Sequence, residues 1–255
     1  MSFVKRRSVS DGALTVRDAE SLLFGRRIAS VNVSDSDDLP RLLARARAAS
    51  VELLVARVAS ELTGRIRELE AAGAALCDKL ITFSQPIPPQ PGAVAEDVAV
   101  IRLAVPADAA ALHGLGRRAF SEFGGHWHTD RRLPNALCTQ LYAQWAARLA
   151  STANASQMTV LALTPVGDIA GFLALAEREA GVWEVPLAAV EPSARGRNLL
   201  SSMARHALRL LAVTQSGILL YETQVTNHAA IRSVVRIGFM PATSRYTFHI
   251  WLDAT

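Results

Sequence analysis

Apolar positions along the chain follow two rhythms. In residues 27–33 and 51–58 they crowd together or alternate, with β-branched residues enriched, which predicts strands. Between these runs, residues 38–49 space their apolar side chains at helical intervals, with Asp37 or Asp38 as the N-cap. In residues 62–72, Leu62, Ile66 and Leu69 share one face of a helix that Gly73 ends. Residues 76–83 return to a strand. The order strand–helix–strand–helix–strand implies a small, partly parallel sheet.

Pro86, Pro88, Pro89 and Pro91 then interrupt both rhythms. Proline supplies no ladder donor and resists helix, so residues 85–97 read as a semi-rigid linker. It separates a small α/β N-terminal domain, residues 1–84, from a larger domain, residues 98–255. In the second part the pattern predicts strands over 98–103, 158–163, 169–176, 183–190 and 218–224. Helices are predicted over 107–120, 136–150, 197–212 and 227–236, a polar loop over 120–135, and a strand pair over 239–252. The sequence shows no internal repeat.

Composition narrows the class. Half of the 255 residues are apolar, enough for packed cores and too many for a disordered chain. Two cysteines, Cys77 and Cys138, support neither a disulfide framework nor a multi-cysteine zinc site, and read as small buried hydrophobes. The 27 Lys+Arg against 23 Asp+Glu leave a mild excess of +4, which suits an anionic small ligand without singling one out. The arginines are dispersed and aromatics make up 6%, which argues against nucleic acid. No apolar run reaches membrane-spanning length, and the cations near Met1 lack the apolar core of a signal peptide, so a soluble, cytoplasmic protein is expected.

The chemistry concentrates in two segments. In the first, the apolar run 183–190 ends at Glu191-Pro192, and the turn Arg195-Gly196-Arg197-Asn198 opens the helix that continues through Leu199 and Leu200. Free N–H groups at a helix start, its dipole and two guanidinium groups make an anion site. The competing reading is a strand–helix turn whose arginines face solvent. Some thirty residues on, Asn227 caps a helix that includes Ala230 and ends at Gly238-Phe239. Taken alone, that second segment reads as a well-punctuated short helix.

Together the two segments resemble the signature motifs of the GNAT superfamily of acetyl-CoA-dependent N-acetyltransferases. The resemblance covers residues 98–255. Short blocks extend it toward the two-domain dTDP-fucosamine acetyltransferase type: Leu23-Phe24-Gly25, Ala119-Phe120, Leu141-Tyr142-Ala143-Gln144-Trp145 and Thr223-Gln224. The resemblance implies an α/β (α+β) GNAT fold with a splayed mixed sheet, preceded by the small α/β N-terminal domain. It implies acetyl transfer from acetyl-CoA to a primary amine, with a nucleotide-linked amino sugar as the favoured acceptor. A protein N-terminus, an antibiotic or another small amine remains an alternative, as does a catalytically weak acyl-CoA-binding module. Pairing of subunits in this fold points to a homodimer.

The resemblance also implies roles. Ala188, Ala189 and Val190 would hold the pantetheine amides. Arg195, Gly196, Arg197, Asn198, Leu199 and Leu200 would hold the diphosphate, with Asn227 and Ala230 as further acetyl-CoA contacts. Glu184 matches a strand glutamate that serves as general base in some relatives, against the plainer reading of a salt-bridge partner. Val234 stands where relatives carry a proton-donating tyrosine, so either another donor serves, with Tyr221 and Tyr246 as candidates, or water does, or catalysis is weak. Asn198 replaces a glycine and tolerates left-handed backbone, whereas Leu200 replaces a small residue and would crowd the phosphates. His126, Trp127 and His128 occupy the loop where this fold receives the acceptor. Their other reading is a structured loop anchored by one aromatic. With no third ligand at metal spacing, no metal is expected.

Overall fold

The computed structural model describes residues 12–88, 99–151, 154, 156–214 and 216–252. The cationic segment at Met1 and most of the proline-rich stretch, residues 89–98, lie outside the described residues. The chain opens with β1 (Thr15–Val16) and α1 (Asp18–Phe24), two short elements that the hydrophobic pattern does not predict. It continues through β2 (Ile28–Val33), α2 (Leu39–Ala48), β3 (Leu53–Ala59), α3 (Thr63–Ala71) and β4 (Ala75–Ile87). Then come β5 (Val100–Leu103), α4 (Ala109–Ala119), the four-residue α5 (His126–Thr129) and α6 (Asn135–Leu149). The remainder is β6 (Gln157–Leu163), β7 (Ile169–Glu179), β8 (Val182–Val185), β9 (Ala188–Val190), α7 (Leu199–Thr214), β10 (Gly217–Gln224), α8 (His228–Val235) and β11 (Met240–Trp251).

Three expectations change. Gln85, Pro86 and Ile87 close β4 instead of leaving the sheet, because a proline near the end of a strand costs little of the ladder. The strand expected over 183–190 is two strands, broken at Pro186-Leu187. The expected pair over 239–252 is the single strand β11, with Pro241 at its second position, where it does not turn the chain.

The chain folds as two compact units. The first holds residues 1–80, 124–137 and 244–255; the second holds residues 81–123 and 138–243. In the first, the strand order is β1-β2-β3-β11-β4. β2 and β3 are parallel in register from Ile28–Leu53 to Val33–Val58, and β11 runs antiparallel to β3 from Arg245–Ala59 to Trp251–Leu53. One face carries Ala29, Val31, Val33, Leu54, Ala56, Val58, Phe248 and Ile250, packed with Leu39, Leu42, Leu43 and Leu69 of α2 and α3. The Asp38 side chain accepts from the Arg41 N–H at 3.0 Å, which settles the cap of α2.

In the second unit, the order runs β4-β10-β8-β7-β6-β5, with β9 pairing to β7. β5, β6, β7 and β8 are antiparallel neighbours, whereas β8 and β10 are parallel. Trp183, Val185, Leu219 and Tyr221 face Met203, Ala204, Ala207, Leu208 and Leu211 of α7 and Ala230 and Val234 of α8 in one apolar cluster. α4 lies against β7 and β9.

The chain runs twice through one succession that the sequence does not display. β2-α2-β3-α3-β4 has the same order as β8/β9-α7-β10-α8-β11: two parallel strands joined by a helix, a second helix, then a further strand. The two runs differ where a ligand would matter. The first pair stays closed along its whole length, and the turn from β2 to α2 carries Asp35, Asp37 and Asp38, a poor setting for an anion.

Candidate functional site

Parallel pairing of β8 with β10 covers Val182–Ile218, Trp183–Leu219, Glu184–Leu220 and Val185–Tyr221, and there it stops. Past Pro186, β9 turns to β7 alone, pairing Ala188–Leu173, Ala189–Phe172 and Val190–Gly171. The two strands therefore part beyond Val185 and Tyr221. The Leu187 carbonyl accepts from the Ala174 N–H and the Glu191 N–H donates to the Ala170 carbonyl, each at 2.9 Å. Because backbone groups alternate sides along a strand, Ala189 shares that direction, and Ala188 and Val190 turn their N–H and C=O groups toward the opening.

Gly171 eases this arrangement. A Cβ there would stand 3.0 Å from the Ala189 carbonyl oxygen and 3.1 Å from Met203 Cε, so a side chain would require β9 or Met203 to give by a few tenths of an ångström.

The turn after β9 leads to the start of α7. Gly196 has φ +79° and Asn198 φ +58°, so the asparagine holds the left-handed conformation that glycine would otherwise supply. Its Oδ1 accepts from Arg236 at 2.8 Å, which pins the turn to the end of α8. The first bond of α7 runs from the Ser202 N–H to the Asn198 carbonyl at 3.0 Å. The amides of Leu199, Leu200 and Ser201 thus precede any intrahelical acceptor and form a donor-rich mouth. Leu199 is buried, and Leu200 packs against the second unit's apolar cluster, so the bulk expected to crowd the turn is directed into the core. The Arg195 guanidinium donates to the Ala119 carbonyl at 3.3 Å, and Arg197 is exposed.

The acid–base candidates fall on two faces. Glu184 is opposite Leu220, so it and Glu222, two residues along β10, share the face away from α7 and α8. Glu184 forms an ion pair with Arg178. Glu222, which the sequence motifs do not single out, accepts from Thr82 Oγ1 at 3.0 Å. Strand alternation was the available signal, since it sets Glu222 apart from buried Leu219, Tyr221 and Thr223. Tyr221 is on the other face, in the same cluster as Val234, and burial pushes its phenol pKa up. Asn227 is occupied structurally: its Oδ1 accepts from the Ala230 N–H at 3.2 Å and its Nδ2 donates to Thr223 Oγ1 at 3.0 Å. Ala230 is buried.

His126, Trp127 and His128 belong to the first unit, not to the unit that carries the residues just described. His126 and Trp127 are buried. The Asp130 carboxylate accepts from His249 Nδ1 at 2.7 Å and from Trp251 Nε1 at 2.9 Å, which leaves His249 Nε2 to accept from His126 Nδ1 at 2.8 Å. Phe24 packs on Trp127 at 5.5 Å between ring centroids. Burial, then His249 and Arg57, Arg17 and Arg245, hold His126 well below its ordinary pKa, and burial lowers His128. Desolvation works to raise Asp130, but hydrogen bonds from His249, the Arg132 N–H and Trp251 bring it below the usual aspartate value.

Cys77, Asp130 and His249 bring three potential ligand atoms within 4.8 Å of one another. Asp130 Oδ2 already accepts two short bonds, and burial with the neighbouring Asp130 charge pushes the Cys77 thiol up to about 12. These groups fit a hydrogen-bonded network better than a metal cage, which needs a thiolate and uncommitted lone pairs. Tyr246 also lies in the first unit, where Lys79 Nζ stands 6.0 Å over its ring.

No protein-family profile matches the chain, and no curated protein matches it in sequence. Solved structures do resemble it. A GCN5-related N-acetyltransferase from Sphaerobacter thermophilus is 14% identical over 94% of this chain and 76% of its own, with a TM-score of 0.63. One from Kribbella flavida is 15% identical over 88% and 80%, with a TM-score of 0.60. A tandem GNAT protein from the clavulanic acid biosynthesis pathway is 14% identical over 89% and 76%, with a TM-score of 0.57. At these identities the likeness establishes the fold: a mixed α/β architecture of the GNAT type.

Proposed function

We propose that the chain is an N-acetyltransferase that moves an acetyl group from acetyl-CoA to a primary amine. The observation that carries this reading is the parting of β9 from β10 beside the amide-rich start of α7. A pantetheine arm fits such an opening by pairing with the outward backbone groups of Ala188 and Val190. Its diphosphate fits the amides from Gly196 to Ser201, with Arg197 adding a full charge.

In the reaction, the amine nitrogen attacks the thioester carbonyl carbon. The C–S bond breaks as the tetrahedral oxyanion collapses, and the sulfur leaves as a thiolate. The proton lost by the nitrogen passes to a carboxylate on the outer face. Glu184, paired with Arg178, and Glu222, held by Thr82, are the two carboxylates on that face that can take it. Tyr221 stays protonated at any working pH and supports the thiolate by donating a hydrogen bond; its raised pKa makes it a reluctant source of a full proton.

The favoured acceptor is a nucleotide-linked amino sugar, supported by the arginine excess and by the short blocks shared with sugar acetyltransferases. Glu184 and Glu222 on one face favour a second reading, a small cationic amine drawn by paired carboxylates. Incubation with acetyl-CoA and a panel of nucleotide-linked amino sugars, polyamines and peptide amines, read as thiol release, tests both. Release with the sugars supports the first, release with polyamines alone supports the second, and silence across the panel overturns the assignment.

A further inference from the structure

Glu191 places a carboxylate at the entrance of a turn built to attract negative charge. It is the residue between β9 and the short 3-10 turn Pro192–Ala194 that leads to Arg195. A bare carboxylate there, four residues before Arg195, opposes an anion held by the turn, since exposed charges act on one another over a Debye length of about 10 Å at 0.1 M salt. The chain supplies a counter-charge from α4. Arg118 Nε donates to both Glu191 oxygens at 3.0 Å, and its Nη2 donates to Oε2 at 2.7 Å. Gly114, one turn earlier, leaves space for this: a Cβ there would stand 3.3 Å from Arg118 Nη1. The return contact, from Arg195 to the carbonyl of Ala119, ties the same two segments a second time. The Glu191 side chain is 18% exposed, and its backbone N–H is fixed to Ala170, so the fork fixes its carboxylate as well as neutralising it.

We propose that Arg118 is a positioning residue for diphosphate binding: by forking Glu191 it cancels a misplaced negative charge and fixes the approach to the mouth of α7. This rests on the acetyl-CoA reading above. The fork acts on the ligand's charge, so its value lies in affinity; exposed ion pairs contribute little to stability.

The test is calorimetric titration of the full chain with acetyl-CoA and, separately, with S-acetyl-pantetheine, which lacks the diphosphate. Arg118→Ala is expected to weaken acetyl-CoA about tenfold, the effect of one nearby charge in a partly screened setting, and to leave S-acetyl-pantetheine unchanged. Adding Glu191→Gln to Arg118→Ala restores acetyl-CoA binding, because the offending charge is gone. Arg118→Lys keeps the charge without the fork and falls between. An Arg118→Ala protein that binds acetyl-CoA as the parent does overturns the inference alone. So does loss of affinity for both ligands without rescue by Glu191→Gln, which would mark a purely structural role. A parent chain that binds no acetyl-CoA overturns the assignment of function, and the inference with it.

Discussion

Asn198 offers a measurable separation of backbone strain, side-chain bonding and charge at one position. Its φ of +58° is left-handed, and its Oδ1 holds Arg236 at 2.8 Å. Alanine there would meet the left-handed penalty of about 1–2 kcal/mol. It would also forfeit an exposed hydrogen bond to a charged group, about 0.5 kcal/mol net. Asn198→Ala should therefore cost about 2 kcal/mol, which for a chain of this size lowers Tm by about 4–8 °C. Asn198→Gly loses the same bond and gains unfolded-chain entropy, but relieves the strain, for a net cost of about 1 kcal/mol. Asn198→Asp tolerates the conformation and pairs with Arg236, so its Tm should stay near the parent's. It sets a negative charge in the mouth, however, and should bind acetyl-CoA about tenfold more weakly than the parent. Differential scanning calorimetry and ligand titration on the three variants give the answer. Equal Tm losses for alanine and glycine would refute the strain argument, and undiminished affinity in Asn198→Asp would refute the anion site.

Gly171→Ala should destabilise by about 1–2 kcal/mol through overpacking against the Ala189 carbonyl and Met203; a Tm equal to the parent's would show that β9 yields freely. His126 is held neutral in the folded chain, whereas the unfolded chain binds a proton below about pH 6.5, so stability should fall as pH drops through that value. Denaturant midpoints across that range check the sign, and His126→Asn should flatten the slope. Cys77 and Cys138 are buried, with the Cys77 thiol pushed up to about 12, so a thiol reagent near neutral pH should leave the native chain unlabelled and react with both cysteines after unfolding. Rapid native labelling at Cys77 would contradict its placement.

What could be read from the sequence followed from strong local punctuation. Asp38, Gly73, Asn227 and Gly238 mark helix ends by backbone chemistry, and the structure places α2, α3 and α8 between them. The mouth of α7 was legible for the same reason, down to the left-handed asparagine. Features set by distant partners were not. β11 reads locally as a pair, whereas the structure makes it one strand whose residues 245–251 pair with β3, some two hundred residues earlier. α5 is one turn long and its burial depends on Phe24 and His249, which no window around His126 contains. Glu222 looks like an ordinary strand carboxylate until the register with β8 shows what opens beside it.

The position of β11 between β3 and β4 governs how the chain comes into being. While the ribosome is still adding residues up to 251, the N-terminal strands wait beside a vacant lane in their own sheet, with the backbone edge of β3 uncovered. That lane is filled only once residues 245–251 have themselves been made and paired with β3. A gene fragment stopping just after β4 would yield a chain whose missing strand could be supplied only by another molecule, an invitation to swapping or aggregation.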